Sequence, residues 1–539
     1  MASTRVFTRD ATGLVRRLSM LDQVIIAQSM TNVTGFVFPA LALGFYFPGA
    51  NLPLVFILGA IPAFSMGAMY GVLAAAIPRS GGDYMFTGRI LGPRWAMIVA
   101  VMILVPGLSA LLGQNVWLIS GLGLAQLFTS LGLTTGNQGL VSFGVAIGQP
   151  PWGYVVSLIS IGVILIVGIF GVDAYRRVMR YGYIWYAFAS AVFAAAIVIA
   201  GSGSYASHFD AAMSSYNVTY SHVISTVSSN PQLATQMNIG ASFLAMMPLG
   251  FLMYEGFNFM PYSAGECKNA PDTVPKSLLL AVLIGLVVTV GFASLSYTFL
   301  GGTFVNGMSY LFNSGQIALP VQPSINFLVS IAVPPWLGVL VNLVCTTGFF
   351  FVSLSLTIAY SRTFFAMAFD RVLPSKLADV SDRLHSPYVA VLAVTALDVI
   401  FTTVWWYTGW GGSYLNGTEG LNIAYLIPGI AAVVFPVLRK DAYKRLVKPL
   451  PGWLSAEIAG IPVVSLVGGI TAIAWGFGIF STLEPLWAYT YLGANLPIAI
   501  GQTILLAVAA VAIFEVSRAY HKRKDGFDLN QIFAEIPPE

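Results

Sequence analysis

The chain of 539 residues is 57% hydrophobic and only 9% charged, with a net charge of +4; an ordinary soluble domain is about 45–50% apolar and about 25% charged. At a mean hydropathy of +0.80, polar groups are too few to cover a water-facing surface. That excludes a soluble globular enzyme, a disordered regulator and a nucleic-acid binder. The apolar runs are long and unbroken, unlike the alternating segments of about ten residues that build an outer-membrane barrel, so the expected class is an all-α integral membrane protein.

Charged residues are absent between Asp22 and Arg79, between Arg94 and Asp173, and between Lys276 and Arg362. About 20 residues cross a bilayer, so each gap must fold back once. Pro48-Gly49-Ala50-Asn51 splits the first gap, the Gly-rich stretch from Thr134 to Gln149 with Pro150-Pro151 splits the second, and Gly301 to Pro323 splits the third. Twelve spans are expected in chain order, roughly 21–47, 53–77, 95–130, 152–172, 181–201, 238–262, 277–300, 331–361, 387–408, 421–438, 459–481 and 494–517. They are numbered 1 to 12 below.

With loops assigned alternately to two sides, all 25 Lys and Arg fall on the side of the N-terminus, from Arg5, Arg9, Arg16 and Arg17 to Arg518, Lys522, Arg523 and Lys524. Cytoplasmic loops carry the Lys/Arg excess, so both termini are expected inside. A missed or invented span would scramble this segregation. Sixteen of the 21 acids share that side, Asp210, Glu419 and Glu484 lie at the other, and Glu255 and Asp398 fall at membrane depth. The basic face is accounted for by topology and by anionic lipid, not by a nucleic acid.

Other features carry less. A cleaved leader is not expected, because the first span follows an arginine pair and no small-residue cleavage site trails it. Cys267 and Cys345 do not suggest a disulfide framework, and Asn217-Val-Thr219 is a sequon in an outer loop. There is no phosphate-binding Gly-x-x-x-x-Gly-Lys-Ser/Thr loop and no His-Glu-x-x-His pair, and the four histidines fall in loops or the tail. No catalytic cluster, cofactor or metal site is therefore expected, and energy for transport must come from gradients or from a partner chain.

Chemistry at membrane depth concentrates in two spans. Span 1 reads Gln28-Ser29-Met30-Thr31-Asn32-Val33-Thr34-Gly35-Phe36-Val37-Phe38-Pro39, and span 6 reads Pro248-Leu249-Gly250 followed by Met253-Tyr254-Glu255-Gly256-Phe257-Asn258 and Pro261. Such stretches read either as kinked helices packing through small residues or as discontinuous helices. In the second case half-helix amides face a carboxylate and freed carbonyls face an ammonium or a cation. Breaks at positions 1 and 6 are what two inverted five-helix repeats would give, although Pro106-Gly107 of span 3 is similar. Glu255 is the costliest residue to place, since a carboxylate at depth costs on the order of 2.5–3.5 kcal/mol or more. No Lys or Arg lies at its depth, so it must be protonated, face water, or meet an arriving ammonium or proton. Asp398 poses the same problem without a nearby break, and a structural or interface role is expected. Ser353, Ser355 and Thr357 of span 8 either return hydrogen bonds to their own helix or serve as oxygen ligands for a coupling cation. Phe251, Tyr254, Phe257 and Tyr425 read as core, with some able to line or gate a pocket.

Four segments carry a resemblance. Ala76-Ile-Pro-Arg-Ser-Gly-Gly-Asp-Tyr-Met-Phe86, running on to Arg89-Ile-Leu-Gly-Pro93, resembles the span 2–3 loop of the amino acid–polyamine–organocation permeases. Arg17-Leu-Ser-Met-Leu-Asp22 resembles their entry to span 1, Gly265-Glu-Cys-Lys-Asn-Ala-Pro-Asp-Thr-Val-Pro-Lys276 their loop after span 6, and Ser361-Arg-Thr-Phe-Phe-Ala-Met-Ala-Phe-Asp-Arg-Val-Leu-Pro374 their segment after span 8. The resemblance implies the leucine-transporter-like inverted repeat: an N-terminal tail 1–20, a first repeat 21–201, an outer loop 202–237, a second repeat 238–438, a loop 439–458, spans 11–12 over 459–517 and a C-terminal tail 518–539. It also implies a permease of the cell membrane that moves an amino acid or related amine by alternating access. Substrate carboxylate would meet span 1 around Thr31, Asn32, Val33, Thr34 and Gly35. The amino group would meet span 6 around Met253, Tyr254, Glu255, Gly256 and Asn258. The family's Gly-hydrophobic-Glu motif of span 6 reads Gly256-Phe257-Asn258 here, with a Glu instead at 255. Span 5 carries no Lys for a lysine-based proton switch. Proton symport through Glu255 therefore stands beside sodium symport through Ser353, Ser355 and Thr357, and beside amino acid or polyamine exchange. A transporter-like nutrient receptor is the alternative from another class. The lack of a large soluble effector domain speaks against it. The oligomeric state is not legible.

Overall fold

The computed structural model describes residues 12–31, 41, 43–44, 47, 49–230, 239–408, 414–483 and 496–536. Among the described residues ten helices are long and apolar enough to cross a membrane: Leu52–Ala76, Pro93–Thr135, Trp152–Ile169, Gly171–Gly201, Ala270–Asn313, Pro335–Phe369, Tyr388–Tyr407, Gly420–Leu438, Val463–Ser481 and Pro497–Lys524. In chain order these coincide with the stretches expected as spans 2–5 and 7–12. The two stretches not among them, spans 1 and 6, are the two whose sequences carry the polar interruptions.

Span 1 forms a helix over Met20–Thr31, and residues 32–40 lie outside the described structure. Span 6 is broken throughout: a short helix Ile239–Leu244, a wide turn Met246–Gly250, tight turns over Phe251–Met253, and a tight, 3-10-like stretch from Phe257 to Glu266. Proline removes a backbone donor at Pro248 and Pro261, and glycine lacks a side chain to hold the helix at Gly250 and Gly256. Span 3 also holds wide turns, over Gly107–Gly113 after Pro106 and over Ile119–Leu124, but continues through them as one rod. A proline and a glycine thus loosen span 3, whereas the denser set in span 6 stops helix formation.

Several boundaries differ from the sequence reading. Span 5 begins at Gly171, so Arg176, Arg177 and Arg180 lie on its first turns. Residues 459–462 belong to a hairpin pairing Glu457–Ile458 with Ile461–Pro462. The connections expected as plain loops hold helices at Gln138–Ile147, Tyr205–Met213 and Tyr220–Ser229. The first and third of these are capped by Asn137 and Thr219, whose side chains accept from amides of the first turn.

The four motif segments, far apart in sequence, meet at one end. The backbone amides of Arg17 and Leu18 donate to the Glu266 carbonyl at 2.9 and 3.0 Å, and Lys268 N returns to Leu18 O. Arg362 holds Glu266 through two bonds of 2.7 and 3.0 Å, and Arg89 holds Asp370 through bonds of 2.7 and 2.8 Å. All four side chains are buried. Arg180 of span 5 reaches Asp22 at the start of span 1. Such pairs are stable only when both partners and their remaining hydrogen bonds are in place.

Candidate functional site

Helix Met20–Thr31 ends against the break in span 6. Gly256 sits at φ +119°, outside the region open to other residues, and a side-chain carbon there would collide with the Met30 carbonyl and Thr31 amide. Only glycine allows the two broken chains this approach. The contact brings Thr31 beside Glu255 and Gly256, three of the residues singled out in the sequence. Asn32, Val33, Thr34 and Gly35 lie outside the described residues.

The turn is stitched locally. Asn258 accepts from Gly256 N at 3.0 Å through its Oδ1, and its side chain also interacts with the Tyr425 hydroxyl. Met253 is buried. Tyr254 is turned away towards span 2, where its hydroxyl donates to Phe56 O at 2.7 Å. It therefore fastens the break rather than presenting its ring to it. Glu255 remains partly exposed, and Tyr425 of span 10 donates to its Oε1 at 3.2 Å. No described Lys, Arg or His lies within ion-pair distance of Glu255.

Tyr425, the partner of this carboxylate, belongs to a connected group of aromatic rings. Tyr425 lies 4.8 Å, ring to ring, from Trp475 of span 11, which meets Phe251 edge-on at 4.7 Å. Phe259 meets Tyr360 of span 8 edge-on at 5.5 Å and Tyr425 at 6.4 Å. Phe251 and Tyr425 are both buried in the core as expected, and Tyr425 in addition hydrogen-bonds Glu255. Tyr360 and Trp475 escaped the sequence reading, because an aromatic within an apolar span carries no periodic mark of its partner.

The span 8 hydroxyls are buried and engaged. Ser353 Oγ donates to Phe349 O and Thr357 Oγ1 to Ser353 O, each at 2.9 Å; Ser355 accepts from Tyr175 of span 5 at 3.0 Å. Asp398 is buried on span 9, which packs on spans 3, 4 and 8. Its Oδ1 accepts from Thr402 at 3.2 Å and its Oδ2 has no partner.

A second carboxylate, Asp83, lies in the span 2–3 loop, in the first turn of helix Gly82–Ile90. It is fully buried and accepts from Tyr70 of span 2 and from Tyr262 Oη at 2.6 Å. Burial pushes its carboxyl up to about 7, against the opposing pull of the two tyrosine donors and the helix amide. Gly82, at φ +50°, lets the Tyr262 ring lie flat on the chain. Tyr262 belongs to the broken segment of span 6, so the loop grips the same element that carries Glu255.

Helix Met20–Thr31 meeting the broken span 6 beside a partly exposed carboxylate, within a bundle of apolar helices, is the arrangement of a membrane transport protein. The sequence model of the family described as amino acid permease matches residues 24–435, and the chain belongs to that family, a family of permeases rather than enzymes. An uncharacterized transporter of Mycobacterium tuberculosis (strain H37Rv) is 23% identical over 483 residues, covering 87% of this chain and 91% of its own. Its counterpart in Mycobacterium bovis aligns equally. A branched-chain amino acid permease of Bacillus subtilis is 22% identical over 385 residues, covering 70% of this chain and 72% of its own. The protein is a multi-pass membrane transporter of amino acids.

Proposed function

We propose that the chain is a proton-coupled symporter that carries an amino acid or related amine across the cell membrane by alternating access. In this reading twelve spans form two inverted five-helix repeats with two further helices, and both termini face the cytoplasm. The substrate carboxylate meets amide groups at residues 31–35, and its ammonium meets the freed carbonyls at residues 253–256 together with Glu255. The similarity to a branched-chain amino acid permease of Bacillus subtilis makes branched-chain amino acids the first substrates to test.

The observation that carries this reading is the pairing of Glu255. It stands at the break, partly exposed, with a neutral tyrosine hydroxyl as its hydrogen-bond partner. A carboxylate at depth is stable when a proton or an ammonium reaches it, and both are what such a symporter binds. Sodium at Ser353, Ser355 and Thr357 is the competing reading. Its support is that hydroxyls donating to helix carbonyls keep oxygen lone pairs available.

Purified protein in liposomes should accumulate labelled leucine, isoleucine or valine under an inward proton gradient, without sodium. Glu255→Gln should abolish the gradient dependence while leaving exchange measurable. Tyr425→Phe, which removes one hydrogen bond worth about 0.5–1.5 kcal/mol, should weaken uptake about three- to ten-fold and keep the coupling. Sodium-dependent uptake that survives Glu255→Gln would overturn the proton assignment. Binding without flux would favour a receptor.

A further inference from the structure

We propose that the protein carries a binding site for one anionic phospholipid, in the cleft between the segment after span 8 and the basic end of the last helix. The cleft encloses about 960 Å³. Its polar mouth is formed by Arg371, Lys376 and Lys524, and its apolar wall includes Ile513 and Val516. Among the described residues lining it there is no Asp or Glu. Asp525, whose carboxylate is held by His521 Nδ1 at 2.6 Å, also interacts with Arg371 and Lys524 from outside the lining.

The position of the cleft fits a lipid rather than a soluble anion. The last helix exposes Ile504, Leu505, Val508, Ile513 and Val516 in turn, then Tyr520, then the basic run His521–Lys524. An apolar stripe that gives way to tyrosine and then to cations marks the level of the headgroups. The wall of the cleft lies on the apolar side of that level and its cations on the other. A phosphodiester with its acyl chain attached matches both, and basic pockets at this level between membrane helices bind anionic headgroups.

The backbone supplies a second observation. Arg371 follows helix Pro335–Phe369 at φ +60°, in the left-handed region where a helix end normally carries glycine. Its carbonyl is pinned by Ser517 Oγ and His521 Nε2, each at 3.1 Å, and its guanidinium stacks 5.7 Å from the Phe527 ring. The carbonyl contacts would serve any residue, and glycine would remove the strain. The arginine side chain is what the strained position retains. Arg371 lines the cleft together with Lys376 and Lys524, the latter donating to Tyr520 Oη at 2.8 Å.

The test is independent of transport. Delipidated protein in detergent is titrated with dioleoylphosphatidylglycerol, with dioleoylphosphatidylcholine and with inorganic phosphate, and adducts are counted by native mass spectrometry. One phosphatidylglycerol should bind about ten-fold or more tightly than phosphatidylcholine, in line with the attraction of several basic groups to an anionic headgroup. Lys376→Gln/Lys524→Gln, which leaves the helix end untouched, should lower that preference about ten-fold. Adding Arg371→Gln should abolish it. Val516→Trp should weaken the lipid with every charge in place. The proposal is overturned if the charge variants retain phosphatidylglycerol as wild type does, if the two lipids bind equally, or if inorganic phosphate competes as well as the anionic lipid.

Discussion

The centre of the molecule and its basic end treat buried carboxylates in opposite ways. At the basic end Glu266 and Asp370 are each locked by an arginine fork, and each joins motif segments far apart in the chain. At the centre Glu255 has a neutral tyrosine instead, on a backbone that is not helical. A carboxylate with an internal arginine is satisfied without any ligand. One without it keeps an unmet demand for positive charge. The paired acids hold the scaffold, and in the proposed symport mechanism Glu255 is the one that meets what arrives.

The largest expected effect breaks that contrast at the paired end. Arg362→Leu leaves Glu266 buried without its counter-charge, and removing one partner of such a pair costs about 3–5 kcal/mol. The protein should lose most of its thermal stability in detergent, and its monodisperse yield should fall. Arg362→Leu/Glu266→Met should recover much of both, because a well-packed apolar pair can replace a buried ion pair. Glu255→Gln should leave stability unchanged or raised. If Arg362→Leu and Glu255→Gln destabilise alike, the two carboxylates are not of different kinds.

A smaller effect is expected where the two broken spans touch. Gly256→Ala places a methyl against the Met30 carbonyl at a φ of +119°, and a non-glycine residue in such a region costs on the order of 1–3 kcal/mol. Relief requires the end of helix Met20–Thr31 to withdraw from span 6. Substrate affinity should therefore fall more than stability, seen as a raised KM for uptake with a modest shift in melting temperature. An unchanged KM would show that the approach of Met30 to Gly256 does not shape the site.

What the sequence made legible were features with a local cost. Charge-free gaps interrupted by Pro-Gly clusters marked the apolar spans, and Glu255 stood out because a carboxylate at depth is expensive on its own terms. The break in span 6 was readable from Pro248, Gly256 and Pro261 for the same reason, while the stretch of span 1 expected to break lies outside the described residues. The partners were not readable. Tyr425 lies 170 residues from Glu255, and Asp83 reaches Tyr262 across 179; such pairings leave no periodic trace along the chain. The contact of the Tyr254 hydroxyl with the Phe56 carbonyl, 198 residues away, is equally untraceable in the sequence. The helices at Gln138–Ile147 and Tyr205–Met213 were hidden because polar, Gly- and Ser-rich composition outweighed their short apolar periods.

Asp83 stands between the two regimes, and yields the smallest of these effects. It is as buried as Glu266 but has tyrosine donors, like Glu255. Burial lifts its carboxyl to about 7 in the folded protein, whereas in the unfolded chain an aspartate titrates near 3.9. Between those values the folded state holds a proton that the unfolded state has lost. Stability contributed by this group is therefore complete at low pH, falls as pH rises towards 7, and is level above it. Thermal unfolding in detergent should show a midpoint about 2–4 °C lower at pH 8 than at pH 5.5, and Asp83→Asn should flatten that slope. Glu266→Gln should not flatten it, because the arginine fork already neutralises that acid. A slope that persists in Asp83→Asn would place the pH sensitivity elsewhere and leave Asp83 with the structural acids of the basic end.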